Sequence, residues 1–384
     1  MWRHITSNFL SFLVVLLAVM SGVVLLMQSK YKEAGPLSQA ICVQVKRGSN
    51  MREVSVDLAD RGAVSSGTLF RIGADYSEKT GQLKAGSFLV PEGASMVEIV
   101  DIVTRGGKNT CGTEIIYRVG VRRNQVLVRE LDPTTNKFVE TVAYYPAEDE
   151  TPAAYTETRG GADITFRIAL AEGVTSWQIV EALKAADFLE GDVAEVPAEG
   201  MLAPDSYEVP LGSNRAAILE QMQAAQVKVL DAAWEARAEG LPLANKEEAL
   251  VLASIVEKET GLAGERRQVA SVFINRLNQG IRLQTDPTVI YGITKGEGIL
   301  GRGLRQSELR RKTDYNTYQI DGLPPGPIAN PGKAAIEAAL NPDSTEFIFF
   351  VADGTGGHAF AKTLREHNEN VVKWRKIEAE RSGN

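Results

Sequence analysis

The sequence predicts an α+β protein with three parts: an N-terminal apolar helix, a region of repeated strand–helix units, and a C-terminal domain built around a buried helix. Three observations support this fold class. Residues 9–27 are almost all apolar. A glycine followed by apolar residues six and ten positions later recurs four times. Residues 250–261 are apolar on nearly every helical face and then place two carboxylates in the last turn.

The N-terminal segment predicts a membrane anchor in residues 1–32. As a helix rising about 1.5 Å per residue, residues 9–27 span roughly 28 Å, close to the hydrocarbon thickness of a bilayer. A signal peptide usually has about 7–15 apolar residues and a small-x-small site, which this segment lacks, so an uncleaved anchor is favoured. Arg3 on one side and Lys30 and Lys32 on the other do not decide its orientation. No later segment is as long and apolar, so residues 33–384 are expected on one side of the membrane.

The repeated units predict strands that end in a glycine turn and lead into helices whose apolar residues, four apart, face a sheet. They are Gly48/Val54/Leu58, Gly93/Ile99/Val103, Gly173/Ile179/Leu183 and Gly212/Ile218/Met222. The second and fourth units share an aromatic-x-Val-Pro-x-Gly lead, at 88–93 and 207–212, which indicates a duplicated pair. We assign the first pair to residues 33–110 and the second to 164–224. Small modules of this kind resemble LysM-like glycan-binding domains; the alternative is a scaffold without carbohydrate contact.

Residues 111–163 differ in composition from the repeat units and are predicted to be a β-rich insertion with a linker. Segments 114–119 and 125–129 have the apolar, β-branched composition of strands, and 145–155 with 158–161 have that of a polar linker.

The buried helix is predicted over 246–260, with Asn245 and Glu248 as a capping box and Gly261 as a left-handed stop. Glu257 and Glu259 are about 200° apart around this helix, so they cannot share a pocket. Partial desolvation and the negative end of the helix dipole both raise the pKa of a carboxyl group at this position, which suits a general acid. Spacing alone leaves open that both are solvated end-of-helix charges.

Composition excludes several function classes. The chain has 384 residues, 44% of them hydrophobic, and can bury a large core, but its net charge of −7 and short basic pairs disfavour nucleic acid as a partner. The three histidines and two cysteines are scattered and no Walker-type loop is present, so no metal and no cofactor is predicted.

The C-terminal part contains several long blocks of distinctive sequence. They are Ala253-Ser-Ile-Val-Glu-Lys-Glu-Thr260, Val269-Ala-Ser-Val-Phe-Ile-Asn-Arg-Leu277, Arg282-Leu-Gln-Thr-Asp-Pro-Thr-Val-Ile-Tyr-Gly292, Tyr315-Asn-Thr-Tyr318, Gly322-Leu-Pro-Pro-Gly-Pro-Ile328 and Phe350-Val-Ala-Asp-Gly-Thr-Gly-Gly-His358. In this order they resemble the endolytic murein transglycosylases, the YceG-like family. The similarity spans most of residues 40–375. It implies a lytic transglycosylase domain in 225–384, with Glu259, followed by Thr260, as the catalytic acid and base.

The resemblance also implies the substrate and the location. The enzyme would cleave the β-1,4 bond between N-acetylmuramic acid and N-acetylglucosamine in peptidoglycan, leave a 1,6-anhydro end and terminate nascent strands. Its catalytic part would lie outside the bacterial plasma membrane, on the periplasmic side, and the tip that precedes the anchor would be cytoplasmic. Penicillin-binding synthases are candidate partners. Cys42 and Cys111 bracket the first repeat pair and would then lie in an oxidising compartment, so we expect a disulfide between them rather than two unlinked buried thiols.

The later blocks predict residues that bind the substrate: Thr260, Gln284, Thr285, Asp286, Tyr315, Asn316, Tyr318 and His358. The Asp-Pro step at 286 could instead be a plain turn. Tyr315, Asn316 and Tyr318 combine aromatic faces with amide hydrogen bonding, which suits N-acetyl sugars. His358, in a predicted hairpin at 347–360, is expected to be a hydrogen-bonding rim residue and not a second base. A final amphipathic helix at 364–381 would close the domain.

Two other functions stay open at this stage. A lysozyme-type hydrolase needs a second carboxylate opposite the acid, and Asp286 is the candidate for it. A catalytically silent anchor would use the repeats to bind wall glycan and to scaffold the synthesis machinery.

Overall fold

The computed structural model describes residues 2–46, 48–105, 110–161 and 164–382, without the side chains of 2–11 and 382. The predicted cytoplasmic tip and the first apolar side chains, 9–11, therefore lie outside the described side chains. The helices are α1 (Trp2–Lys32), α2 (Met51–Asp60), α3 (Gly67–Tyr76), α4 (Met96–Thr104), α5 (Ala153–Arg159), α6 (Ser176–Ala185), α7 (Arg215–Glu235), α8 (Lys246–Glu259), α9 (Arg266–Asn278), α10 (Asp286–Thr294), α11 (Gln306–Arg310), α12 (Lys333–Leu340) and α13 (Leu364–Ser382). The strands are β1 (Ile41–Val45), β2 (Gly86–Val90), β3 (Thr113–Val119), β4 (Gln125–Asp132), β5 (Lys137–Tyr144), β6 (Ile164–Leu170), β7 (Leu189–Glu190), β8 (Ser206–Val209), β9 (Ser213–Asn214), β10 (Phe349–Ala352) and β11 (His358–Ala361).

The chain forms two compact units. Unit 1 comprises Met1–Ile115, Leu127–Ala143 and Thr151–Thr165; unit 2 comprises Ile116–Val126, Tyr144–Glu150 and Phe166–Asn384. The first repeat pair lies in unit 1. The second pair belongs to unit 2 together with the predicted catalytic helix.

Helix α1 contains the predicted anchor. Its segment Phe12–Lys32 is 21 residues long, is not buried, and is long and apolar enough to cross a membrane by length and composition.

All four predicted strand–glycine–helix units form. Gly48, Gly93, Gly173 and Gly212 have φ of 85°, 65°, 80° and 76°, the left-handed region that glycine enters without steric cost. The helices α2, α4, α6 and α7 each begin three residues after the glycine. Every predicted apolar position is buried: Val54, Leu58, Ile99, Val103, Ile179, Leu183, Ile218 and Met222.

The strands of each predicted pair are hydrogen-bonded to each other. Strands β1 and β2 pair antiparallel, with Val43 opposite Phe88. Strands β6 and β8 do the same, with Ile168 opposite Tyr207. The aromatic residue of each Val-Pro-x-Gly lead thus packs beside an apolar residue of its partner strand. Helix α3, whose Phe70 is fully buried in the core of unit 1, was not predicted.

The secondary structure predicted for residues 111–163 is partly right. Strands β3 and β4 are confirmed, and β5 was missed. The linker prediction is wrong at Ala153–Arg159, which forms α5 and buries Tyr155. A five-stranded sheet has the order β5-β4-β3-β6-β8. In unit 1 the expected disulfide joins Cys42 and Cys111, whose Cα atoms are 5.5 Å apart.

The core of unit 2 surrounds α8, which contacts α9, α12, α7 and α10. Every residue from 249 to 256 is buried, as the apolar sequence predicts. Asn245 caps the helix by accepting a hydrogen bond from Glu248 N–H (2.8 Å), but the Glu248 carboxylate accepts from Ala244 N–H (2.7 Å), one residue earlier than a capping box requires.

The predicted left-handed stop at Gly261 is wrong. Thr260 follows the helix with extended backbone, φ −142° and ψ 130°, and its Oγ1 accepts a hydrogen bond from Leu262 N–H (3.1 Å). The predicted hairpin near the C-terminus is confirmed as the antiparallel pair β10 and β11, and the predicted last helix as α13, which packs on both strands.

Candidate active site

Glu259 ends α8 and lies partly buried at the edge of the unit 2 core. Its Oε1 accepts a hydrogen bond from the hydroxyl of Thr285, a buried residue that precedes α10. Desolvation raises the pKa of Glu259, and the nearby charge of Asp286 raises it further. The Thr285 hydrogen bond and the charges of His358 and Arg276 lower that pKa, but the net direction is upward. A carboxyl group in this position keeps its proton to higher pH than an exposed glutamate.

Glu257 points elsewhere, as the helical geometry predicts. Its side chain is 5% exposed, and its Oε2 accepts a hydrogen bond from Gly332 N–H (3.0 Å). The guanidinium of Arg266 is 3.9 Å away. Glu257 therefore fixes the segment that leads into α12. It faces no part of the cluster around Glu259.

Asp286 and Tyr318 lie on the Glu259 side. Asp286 is the first residue of α10, and Pro287 follows inside the first turn, so the Asp-Pro step starts a helix and is not a plain turn. The Tyr318 hydroxyl donates to Asp286 Oδ1 (2.7 Å). Burial raises the pKa of Tyr318, as do its hydrogen bond to Asp286 and the charges of Asp286 and Glu259, so this phenol remains a donor.

A network of threonine hydroxyls holds Thr285 in place. Thr317 Oγ1 accepts from Thr285 N–H (3.1 Å) and lies 2.8 Å from Thr288 Oγ1. Gln284 N–H donates to Thr317 O (3.2 Å). Gln284 is exposed and has a left-handed φ of 50°, an uncommon backbone state for a residue with a Cβ. Thr317 and Thr288 were not among the predicted site residues. Both are buried threonines inside the family blocks, which is the signal that could have found them.

Two of the residues predicted to bind the substrate use their side chains in hydrogen bonds within the protein. Asn316 is fully buried, donates to the carbonyls of Glu308 (3.0 Å) and Leu309 (3.1 Å), and accepts from Tyr318 N–H (3.0 Å). It shapes the loop that carries Tyr318. Thr260 is buried and caps its own turn.

Tyr315 belongs to a neighbouring cluster and not to the hydrogen bonds around Glu259. Its ring centroid lies 5.0 Å from that of Tyr291 and 5.4 Å from Lys295 Nζ. Tyr291 in turn donates to Glu199 (3.3 Å). Glu199 is a partly buried carboxylate that was not among the predicted site residues. Glu199 also accepts from Ser176 N–H (2.8 Å).

His358 is a hydrogen-bonded residue at the start of β11, as predicted. Its Nδ1 lies 2.8 Å from Glu265 Oε2, and its backbone N–H donates to Glu265 Oε1 (3.0 Å). The ring packs edge-on against Phe350, with 5.2 Å between centroids.

Arg276 is the main site residue that sequence reasoning missed. It is 8% exposed on α9, donates through Nε to Ile348 O (2.6 Å) and through Nη1 to Leu283 O (2.8 Å), and its charge acts on Glu259. An arginine inside an apolar helical segment was the available signal. Among the described residues, no group of three or more His, Cys, Asp or Glu side chains is placed to hold a metal ion.

Known proteins resemble this chain over most of its length. The model of the YceG-like family matches residues 43–373. Two proteins named endolytic murein transglycosylase, from Streptococcus pneumoniae serotype 2 (strain D39 / NCTC 7466) and from strain ATCC BAA-255 / R6, are each 26% identical over 383 residues, 96% of this chain and 65% of theirs. The chain thus spans less than two thirds of the length of these relatives. The protein of that name from Bacillus subtilis (strain 168) is 43% identical over 125 residues, 33% of this chain and 34% of its own. A solved structure described as a YceG-like protein from Listeria monocytogenes is 25% identical, covers 86% of this chain and 99% of its own, and has a TM-score of 0.45.

Proposed function

The chain belongs to the YceG-like family, and on that premise we propose that it is a membrane-anchored endolytic transglycosylase of peptidoglycan. It cleaves the β-1,4 bond between N-acetylmuramic acid and N-acetylglucosamine and leaves a 1,6-anhydro end. The observation that carries the proposal is Glu259, a partly buried carboxyl group with a raised pKa, beside Thr285, Asp286 and Tyr318. The relatives named endolytic murein transglycosylase support the choice of substrate.

Glu259 performs two proton transfers in this mechanism. In its neutral form it donates a proton to the glycosidic oxygen, and the bond to C1 of the muramic acid breaks through an oxocarbenium-like state. The resulting carboxylate accepts the proton of the C6 hydroxyl as that oxygen attacks C1 and closes the anhydro ring. The glutamic acid is regenerated, and no water is consumed.

The surroundings of Glu259 suit both steps. Desolvation and Asp286 keep the proton on Glu259 before the bond breaks. The Thr285 hydroxyl, Arg276 and His358 favour the carboxylate that exists after the first transfer. Opposing influences of this kind suit a group that gives a proton in one step and takes one in the next. The Asp286 carboxylate, on the same side, would stabilise positive charge at C1.

A lysozyme-type hydrolase is the second candidate, and Asp286 is the observation that favours it. Two carboxylates beside the scissile bond are the usual equipment for hydrolysis. In this protein the Tyr318 hydroxyl already occupies one oxygen of Asp286, which leaves that carboxylate less free to act as a nucleophile or to activate water.

The end groups of the products distinguish these functions. The full chain in detergent is incubated with isolated glycan strands, and the ends are analysed by mass spectrometry. Anhydro ends, lighter than reducing ends by one water, are expected. Reducing ends alone would establish the hydrolase, and intact strands would leave the scaffold function.

We extend the proposal to the rest of the chain. Helix α1 anchors the protein in the plasma membrane with residues 33–384 on the periplasmic side, where the enzyme terminates nascent strands beside penicillin-binding synthases. Residues 33–110 and 164–224 form LysM-like pairs that bind glycan, 111–163 is an insertion between them, and 225–384 is the catalytic domain. The four strand–glycine–helix units support the repeat assignment. Labelling of single cysteines introduced after residue 32 with a membrane-impermeant reagent tests the orientation; labelling only after lysis would contradict it.

A further inference from the structure

A cavity of 560 Å³ lies in unit 2 between α10 and the loop that follows it. Its lining includes Lys258, Arg122 and Arg302 as the charged residues and Ile290, Ile299 and Ile328 among the apolar ones. The volume falls within the range of about 300–1,000 Å³ that small-ligand sites occupy. The proton transfers assigned to Glu259 make no use of this cavity.

The cavity adjoins the Glu259 cluster on two separate elements. On α8, Lys258 lines the cavity and the next residue is Glu259. On α10, Pro287 lines it and the preceding residue, Asp286, bonds Tyr318. Neighbouring Cα atoms are about 3.8 Å apart, so on both elements the backbone of the Glu259 cluster is adjacent to that of the cavity wall.

The charge of the lining is positive. Lys258 Nζ donates to one carbonyl, Gly173 O (3.1 Å), and an ammonium group has three donor hydrogens. Burial lowers the pKa of Lys258 and Glu257 and Glu199 raise it, and the net direction is downward. Both of those carboxylates already accept backbone hydrogen bonds, from Gly332 and Ser176, and neither lines the cavity.

The two arginines differ. Arg302 is satisfied by Glu308, which it contacts through Nη1 (2.9 Å) and Nη2. Arg122 is exposed and has no hydrogen bond or ion pair among the described residues. No aspartate or glutamate of the described chain lines the cavity. Lys258 and Arg122 are therefore cations with donors left for a ligand.

We propose that this cavity binds a carboxylate-bearing peptide attached to the glycan strand next to the cleaved bond. The inference deepens the proposed function and rests on it. Peptidoglycan strands carry short peptides on their muramic acid residues, and these peptides have free carboxylates and small alkyl side chains. Lys258 and Arg122 pair with a carboxylate, and the isoleucines of the lining contact the alkyl groups.

Binding to a protein that cannot turn over tests this directly. The full chain carrying Glu259→Gln is titrated in detergent with a disaccharide tripeptide from peptidoglycan, with the same compound after its carboxylates are converted to amides, and with inorganic pyrophosphate. The free-acid form is expected to bind about 10-fold more tightly than the amidated form, because hydrogen bonds to charged groups are the stronger ones. Adding Lys258→Met should abolish this preference, and Arg122→Ala should reduce it about 3-fold.

Matched controls keep the result specific. Lys258→Arg preserves the charge and should preserve the preference, which guards against a misfolded methionine variant. Lys373→Met removes an exposed lysine of α13 outside the cavity and should change nothing. Equal affinity for the free and amidated compounds, or a preference that survives Lys258→Met, refutes the proposal. Pyrophosphate that displaces the disaccharide tripeptide without any acid preference would assign the cavity to phosphate instead.

Failure of this proposal differs from failure of the proposed function. If the wild-type chain forms anhydro ends but its Glu259→Gln variant shows no preference for the free acid, the proposed function stands and the peptide site is refuted. If the wild-type chain forms no anhydro ends but its Glu259→Gln variant shows the Lys258-dependent preference, the peptide site stands and the proposed function is refuted.

Discussion

The role of Glu259 is tested most sharply by Glu259→Gln. The substitution is nearly isosteric and removes the titrating proton, which the mechanism uses twice. General acid–base catalysis contributes roughly 10² to 10⁴-fold, so kcat for anhydro-end formation should fall at least about 10²-fold. KM should change little, because a glutamine can still accept the Thr285 hydrogen bond. The assay counts anhydro ends by liquid chromatography and mass spectrometry.

The same variant has a stability signature that an exposed glutamate would not give. Since the folded-state pKa of Glu259 is raised, the folded state holds this proton more tightly than the unfolded state does. The resulting stabilisation is fully present below the ordinary glutamate pKa and is lost as pH rises through the raised pKa, at about 1.4 kcal/mol per pKa unit. Glutamine does not titrate, so above that window Glu259→Gln should unfold at the same temperature as the wild type or at a higher one.

Glu257→Gln is the matched control on the same helix. Burial raises the pKa of Glu257 as well, and a glutamine can still accept the Gly332 N–H, so this substitution should change the unfolding free energy by no more than about 1 kcal/mol. It should leave kcat within a few-fold, because Glu257 faces no part of the Glu259 cluster. A dead Glu257→Gln enzyme beside a Glu259→Gln enzyme of normal turnover would reverse the assignment and refute the reasoning.

Four further predictions concern the surroundings. Thr285→Val removes a hydrogen bond that lowers the pKa of Glu259, so the alkaline limb of the pH–kcat profile should move to higher pH, with kcat reduced about 10-fold; an unmoved limb contradicts it. Asp286→Asn removes a charge that raises the same pKa, so that limb should move to lower pH while anhydro ends still form; complete loss of product would instead make Asp286 essential. Replacing Cys42 and Cys111 together by serine should destabilise unit 1 by about 4 kcal/mol in the chain-entropy model, and thermal unfolding with and without reductant should show the same change in the wild type. Arg276→Met should lower the unfolding free energy by about 3 kcal/mol in chemical denaturation, because the carbonyls of Ile348 and Leu283 lose their donor; an unchanged midpoint would show that water replaces it.

The repeat units could be predicted because their determinants are local. A glycine that must enter the left-handed region and apolar residues at fixed spacing fix each unit within about a dozen residues. Helix α3 escaped prediction because its apolar residues follow no such lead, and α5 because a seven-residue helix after a proline has the composition of a linker. Tyr155 makes α5 a packed element, and that burial depends on tertiary contacts.

The end of α8 could not be predicted from the sequence for a different reason. The helix was predicted to stop at a left-handed Gly261, yet Thr260 ends it in extended backbone and bonds Leu262 N–H with its own hydroxyl. Both solutions satisfy backbone groups beyond a helix, and the sequence contains the residue for each. The separation of Glu257 from Glu259 was predictable from helical geometry. Their hydrogen-bond partners were not predictable, because Gly332 and Thr285 come from distant segments of the chain.

The hydrogen bonds of Arg276 explain how a buried cation can lie near Glu259 while the pKa of that carboxyl group remains raised. A guanidinium in direct contact with a carboxylate favours the ionised form strongly. In this protein Nε and Nη1 of Arg276 are held by the carbonyls of Ile348, Arg282 and Leu283, so the charge acts on Glu259 without a direct bond. Thr285, a neutral donor, supplies the hydrogen bond that Glu259 receives. Desolvation therefore remains the dominant influence, and the pKa of Glu259 is raised on balance, which is the direction that the proposed proton transfer to the substrate requires.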